Sequence, residues 1–361
     1  MAPADGQHPA SGPPEFARAA HPGDLTPFIR ALASGRSLER AEMEDAFRSI
    51  MSGEAHHAEM GGMLALLATR VPTVAELAGA ATVMRANVDR LDTGVPPERL
   101  LDTAGTGGTA KLFNVSTVAA IVAAAAGAKV AKHGNRSRTG RGSAEVLGAL
   151  GVNVDADRAV QRRCMDRAGI CFCFAIHHHP AARHAMPVRR ALGIPTIFNL
   201  LGPLTNPAGA RRQVMGVYAP QYVMPVANTL AELGVERALV IHGTDGIDEV
   251  SITAPTMVAE VNGTSVIERR IDARMLGLRE APHEALAAQS LDGAVALASA
   301  LVEGRERGPA LDLLLANAAA AIVAAGMIDD LVDGVGVARD ALESGAARDV
   351  LERLRSASTR T

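Results

Sequence analysis

From residue 100 onward, short apolar runs alternate with longer helical stretches, and no other feature restricts the fold of this chain as strongly. Runs of strand type stand at 129–131, 170–176, 214–218 and 238–241. Segments of helical period lie between them, at 116–126, 143–150, 157–168 and 222–233. Gly151 and Gly234 occupy helix-stop positions. Such alternation predicts a mainly parallel sheet covered by helices, because parallel neighbours need a crossover and a helix supplies it. A hairpin is expected over 257–261 and 265–269, around Asn262-Gly263. After Leu291 the pattern is helical to the end, with fraying expected in the last residues.

The preceding part reads differently. Leu25, Phe28, Ile29 and Leu32 share one helical face, as do Met60, Met63, Leu64 and Leu67. Thr73-Val74-Ala75-Glu76 has the form of a capping box. Gly94-Val95-Pro96-Pro97 then breaks the pattern. The expected class is α/β: a flexible extension over 1–23, a small all-helical domain over 24–94, a large α/β domain over 95–345, and a C-terminal helix end and tail over 346–361. Residues 180–193 read as a strongly basic helix. They lead into a Pro/Asn/Gly-rich loop, 199–207, apolar enough to pack against something or onto a planar ligand.

Composition narrows the function. The net charge of −3 supplies no basic field for nucleic acid, and with no Trp, two Tyr and seven Phe there is little to stack on bases. The start lacks a basic-then-apolar leader pattern, and the longest apolar run, 118–128, is too short to span a bilayer. Cys164, Cys171 and Cys173 do not form a disulfide framework, which points to a reducing cytoplasm. Their spacing against His177, His178 and His179 is too tight for a standard zinc site, so they read as core residues.

Chemistry gathers in a few blocks. Leu101-Asp102-Thr103-Ala104-Gly105-Thr106-Gly107-Gly108, followed by Asn114-Val115-Ser116-Thr117, is a glycine-rich turn feeding a helix start. Glycines let backbone N–H groups approach an anion, and the helix start adds free donors and a positive dipole end. That suits a ligand with more than one phosphate, although a tight strand-to-helix turn alone asks for some glycine. Lys132-His133-Gly134-Asn135-Arg136-Ser137 follows a strand end. Arg183, Arg189 and Arg190 follow His179-Pro180, and Asp248-Glu249 lies in a turn after an apolar run.

In this order and spacing, these blocks resemble the anthranilate phosphoribosyltransferase family of tryptophan biosynthesis. The likeness runs from about Leu25 into the C-terminal helices, most of the chain. It implies a helical domain and an α/β domain with substrates in the cleft between them, a basic segment around Arg189 packing back onto the helical domain, and a homodimer formed through that domain. It implies transfer of the phosphoribosyl group of 5-phosphoribosyl 1-pyrophosphate to the amine of anthranilate. Pyrophosphate is released, and Mg²⁺ is required, two ions per subunit.

Residue by residue, the likeness assigns the phosphoribosyl donor to Gly105, Gly107, Gly108, Thr109, Leu112, Asn114, Val115, Ser116, Thr117, Lys132, His133, Gly134, Asn135, Arg136, Ser137 and Ser143. Anthranilate is assigned to Gly105, His133, Asn135, His179, Arg189 and Pro203, with the Arg189 fork on its carboxylate. Asp248, Glu249 and the Ser116 hydroxyl are the metal candidates, since Mg²⁺ prefers oxygen ligands. No general base is assigned; His133 and Arg189 are the catalytic candidates. Thr109 replaces the family's usual Asp and Leu112 its usual Thr, and the loops before Asn114 and between Arg136 and Ser143 are shortened. Two alternatives stay open at this point: a pyrimidine-nucleoside-phosphorylase-like enzyme and a non-catalytic, nucleic-acid-binding paralogue.

Overall fold

The apolar stripes ahead of Gly94 become helices α1 (Thr26–Ala33), α2 (Arg40–Ser52), α3 (His57–Ala68) and α4 (Val74–Ala86) in the computed structural model. The structure describes residues 21–107, 112–137, 140–286 and 290–359. Helix α4 opens on a capping box: the Glu76 N–H donates to Thr73 Oγ1 (3.2 Å) and the Thr73 N–H to Glu76 Oε2 (2.8 Å). The same carboxylate is fully buried and accepts from the Leu38 N–H (2.9 Å) and from Arg70 Nη1 (2.8 Å).

Burial alone would push the Glu76 carboxyl up, but the donors from Arg70, Thr73 and Leu38 outweigh it and hold it below the usual range. With a folded pKa below the unfolded value of about 4.3, the stabilisation is present above that value and is lost as pH falls through the folded pKa. Glu76→Ala is expected to cost about 2–4 kcal/mol at pH 7. Urea unfolding should show this as a lower midpoint, and the gap to the parent should narrow in acid.

Beyond Gly94 the strands are β1 (Leu100–Asp102), β2 (Lys129–Gly134), β3 (Ile170–Phe174), β4 (Arg212–Gly216), β5 (Arg237–Gly243), β6 (Thr256–Asn262) and β7 (Ser265–Ile271). Among the described residues they form one sheet, ordered β3-β2-β1-β4-β5-β6-β7. Neighbours from β3 to β5 are parallel, and β6 and β7 add an antiparallel edge. The chain builds outward from β1 to β3 on one side, then returns to place β4 and β5 on the other. That reversal between β1 and β4 is the topological switch point of an open α/β sheet, where ligands settle beyond the strands' carboxyl ends. Gly263 (φ +58°) turns the β6–β7 hairpin, with Asn262 paired to Ser265.

Helix α5 (Val115–Ala125) follows β1, and α6 (Ser143–Ala149) and α7 (Arg158–Ala168) connect β2 to β3. Helices α8 (Ala175–His178), α9 (Met186–Leu192) and α10 (Ile197–Leu201) connect β3 to β4, and α11 (Val223–Glu232) connects β4 to β5. Four more close the chain: α12 (Leu291–Val302), α13 (Pro309–Ala324), α14 (Leu331–Glu343) and α15 (Ala346–Thr359). Period-2 alternation sorts the strands between two apolar clusters; on β4, Val214 joins one and Met215 the other. The first gathers α5, α7 and α12–α15. The second runs from α1–α4 through α9–α11 onto the sheet, with Phe47 against Phe198 at 5.4 Å. The N-terminal helices therefore share their interior with one sheet face. No helix of the described residues is long and apolar enough to cross a membrane.

Several expectations need correction. The strand over 170–176 ends at Phe174, where the His179 N–H closes a helical turn onto Ala175 O (2.9 Å). The basic helix over 180–193 is two pieces, a 3₁₀ turn at Pro180–His184 and then α9. Pro187 has no N–H to give, so it sits at a helix start and not inside one. The loop over 199–207 is largely regular, because Ile197, Phe198, Leu200 and Leu201 bury one face of α10 and Pro203–Thr205 adds a 3₁₀ turn. The helical pattern expected to the end of the chain does hold, as α15 runs to Thr359 with Val350, Leu351, Leu354 and Ala357 buried against α5 and α7. Strand β1 escaped the sequence pattern because it is three residues long and buried throughout.

Candidate active site

The glycine loop leaves β1 at the switch point. Its Thr106 N–H donates to Gly216 O (2.9 Å), and Thr106 Oγ1 accepts from the Tyr218 N–H (3.0 Å), which fastens the loop to the end of β4. A Cβ on Gly105 would lie 3.0 Å from Gly216 O and 3.5 Å from Asp248 Oδ2, so backbone and carboxylate approach closely there. Gly107 turns at φ +61° with open space where a Cβ would point. Gly108 and Thr109 lie outside the described residues, as do Arg138 and Thr139.

Asn114 takes a left-handed conformation (φ 59°, ψ 52°) directly before α5. Its Nδ2 donates to Arg141 O (2.6 Å), joining the two shortened loops. Ser116 stands in the first turn of α5; its N–H donates to Glu249 Oε1 (3.3 Å), and its carbonyl accepts from Thr103 Oγ1 (3.0 Å). The side chains of Leu112 and Val115 are buried in the apolar cluster; Thr117 is buried as well, its N–H donating to Asn114 O (2.9 Å) and its Oγ1 without a partner among the described residues.

Lys132 is not a surface lysine. It is 2% exposed, and Nζ donates to Thr103 Oγ1 at 3.0 Å. The next residue, His133, meets His179 ring to ring, Nε2 to Nε2 at 3.2 Å. Burial and the neighbouring imidazoles push His133 well down, and burial pushes His179 down to about 4. Both rings are therefore neutral at neutral pH, and His179 Nδ1 is buried without a partner. A Cβ on Gly134 would strike Ser143 Oγ at 2.2 Å and Phe172 at 2.6 Å, so the strand end and the start of α6 touch only through glycine. Asn135 is exposed, Ser143 Oγ donates to its carbonyl (3.3 Å), and Arg136 lies over the Phe174 ring at 5.6 Å. Ser137 Oγ accepts from the Arg141 N–H (2.8 Å).

Arg189 comes from α9, which packs on α3. Its guanidinium lies 5.0 Å over the Phe198 ring. Burial lowers its pKa, and among the described residues it has no ion pair; Met186 Sδ at 3.7 Å is its hydrogen-bond partner. Arg183 and Arg190 are exposed, while Pro203 is buried with its carbonyl accepting from Gln213 Nε2 (2.8 Å). Asp248 and Glu249 are half-buried beside the glycine loop and the α5 start. Sequence reasoning missed three supporting residues. Asn317 of α13 clasps Val250 through both its N–H (2.8 Å) and its carbonyl (2.9 Å). Asp102 and Asn206 bridge the ends of β1 and β2 and the stretch that carries Pro203. An amide in a helix whose other residues, Asp312 apart, are all apolar was the available signal for Asn317.

Comparison with known proteins places the chain in a family. Residues 97–348 match the α/β domain of a glycosyl transferase family, and residues 26–88 its helical bundle domain. The anthranilate phosphoribosyltransferase of Rhodospirillum rubrum is 46% identical over 92% of this chain and 95% of its own. That of Rubrobacter xylanophilus is 47% identical over 91% and 96%. The chain belongs to the anthranilate phosphoribosyltransferase family. The Thermus thermophilus family member superposes with a TM-score of 0.86 at 40% identity, covering 92% of this chain and 99% of that one. The Saccharomyces cerevisiae enzyme, solved in complex with PRPP and Mg, gives 0.84 at 25% identity, covering 94% and 99%. Family membership makes this chain a pentosyltransferase that joins a phosphoribosyl group to anthranilate, and it sets the phosphorylase alternative aside.

Proposed function

We propose that the switch-point cleft holds 5-phosphoribosyl 1-pyrophosphate between the glycine loop and the start of α5, with anthranilate between the His133–His179 pair and Arg189. The observation that carries this reading is the convergence of the glycine loop, the start of α5, the buried Lys132 ammonium and the Asp248–Glu249 pair on one end of the sheet. The glycine backbone at Gly105 and Gly107 and the positive end of α5 suit a diphosphate and a phosphate, while the Thr106 and Thr117 N–H groups are spent on holding the loop and the helix start in place. Lys132 adds a fixed positive charge. Preorganised donors aimed at the departing oxygens are the main source of rate, since an oxocarbenium-like sugar needs its leaving group neutralised.

The donor set fits a hard cation: adjacent carboxylates and a serine hydroxyl, all oxygen, beside the place where the diphosphate is assigned. Asp248 and Glu249 would hold Mg²⁺, with Ser116 offered to a second ion. When bound, Mg²⁺ neutralises charge on the pyrophosphate oxygens. Arg189, desolvated and free of any acidic partner among the described residues, awaits a carboxylate, and its planar fork matches one bidentately. With both imidazoles neutral, His133 and His179 orient the amine, and the weakly basic aromatic nitrogen needs little help to lose its proton after attack. A homodimer is proposed through the helical side, where Val71, Met186 and Ile194 expose apolar surface.

Mixing the protein with anthranilate, phosphoribosyl pyrophosphate and Mg²⁺ should bring a steady loss of anthranilate fluorescence that stops on chelation. No loss, with phosphate-dependent cleavage of thymidine, would support phosphorolysis; salt-sensitive DNA retention without turnover would support the binding paralogue.

A further inference from the structure

Asp102 ends β1 and is 1% exposed. Its Oδ1 accepts from the Ala104 N–H (3.1 Å) and the His133 N–H (3.0 Å), and its Oδ2 accepts from Asn206 Nδ2 (2.8 Å). Asn206 is itself fixed: Nδ2 also donates to Ala131 O (2.8 Å), and Oδ1 accepts from the Ala208 N–H (2.9 Å). The donors come from three segments. Ala104 opens the glycine loop, His133 belongs to the β2 end, and Asn206 closes the stretch that carries Pro203. A buried carboxylate is costly, and a neutral core would hold these strands more cheaply. What the charge adds is strength and direction in bonds to all three segments at once.

We propose that Asp102 is a positioning residue that sets the register between the phosphoribosyl pocket and the anthranilate pocket, through the Ala104 and His133 amides on one oxygen and Asn206 on the other. This rests on the site assignments given under the proposed function. Asp102 itself does not touch the reacting atoms; it aligns the loop and strand that do. The titratable groups facing it are Lys132 and His133 of β2 and Cys173 of β3. Burial pushes its carboxyl up to about 6, against the pull of Asn206, Lys132 and the two amides. A folded pKa raised above the unfolded value of about 3.9 makes this group's contribution to stability fully present below that value and lost as pH rises through about 6. Activity that depends on the charged form runs the other way across that window.

The test is Asp102→Asn, which keeps the shape and the oxygen facing both amides but sets an NH₂ group against the Asn206 amide. The expected result is a fall in kcat of about 30-fold, as for a small misplacement of reacting groups, with either KM changed less than about threefold and no loss of thermal stability at pH 7.5. The acid limb of the parent kcat profile near pH 6 should flatten in the variant. Asn206→Ala, which leaves Asp102 intact, should produce the same split between kcat and KM, and the double variant should be no worse than the poorer single one. A lowered Tm with normal kcat per folded molecule in either variant would overturn the proposal, as would independent, additive losses. Arg189→Ala serves as the control: an unchanged anthranilate KM there would refute the site assignment, whereas a raised KM beside a normal Asp102→Asn would refute only the positioning role.

Discussion

Replacing Asp248 by Asn together with Glu249 by Gln should lower kcat/KM by about three orders of magnitude, roughly 4 kcal/mol of transition-state stabilisation. The amides keep size and hydrogen bonding but remove both negative charges from beside the glycine loop and the α5 start. Excess Mg²⁺ should restore part of the rate to the single variants and none to the double one. The fold should persist, because the Val250 backbone that follows is held separately by Asn317. Circular dichroism and fluorescence turnover measured on the same samples check both points. Full activity in the double variant would remove the acidic pair from the reaction.

Arg189→Ala should raise the KM for anthranilate by about 50-fold, the loss of a charge-assisted bidentate pair worth roughly 2–3 kcal/mol. The KM for the phosphoribosyl donor should stay within about twofold. The reason is placement: Arg189 projects from a helix packed on α3 and lies over Phe198, whereas the glycine loop is fastened separately to the end of β4. Arg189→Lys should recover little, because an ammonium neither forks nor stacks as a guanidinium does. Equal effects on the two substrates would overturn the carboxylate assignment.

Much of the fold was legible in local pattern. Alternating short apolar runs and amphipathic helices are imposed by period, and the sheet, its hairpin and the capping box at Thr73–Glu76 follow from it. The glycine loop stood out because three glycines in four positions exceed what one turn requires, whereas the Asp248-Glu249 pair alone reads as a solvated turn and drew its chemical reading from the family resemblance. The breaks within 180–193 and the regular turns within 199–207 were not legible. There, Pro187 and the buried face of α10 act through tertiary packing that no window of sequence contains.

What the sequence determined by itself is most of the segments: the strands from β2 onward, the longer helices, and which loops carry glycine, cation or carboxylate. The tertiary structure alone decided which of them meet. Strand β1 is only three residues long, yet parallel pairing puts it between β2 and β4, so its terminal Asp102 lies beside His133 and Asn206. Lys132 could have been a surface residue on any reading of its neighbours; the sheet buries it against Thr103. Contacts of this kind, between residues tens of positions apart, are fixed by burial and by the need to satisfy every enclosed polar group, and both are properties of the packed chain.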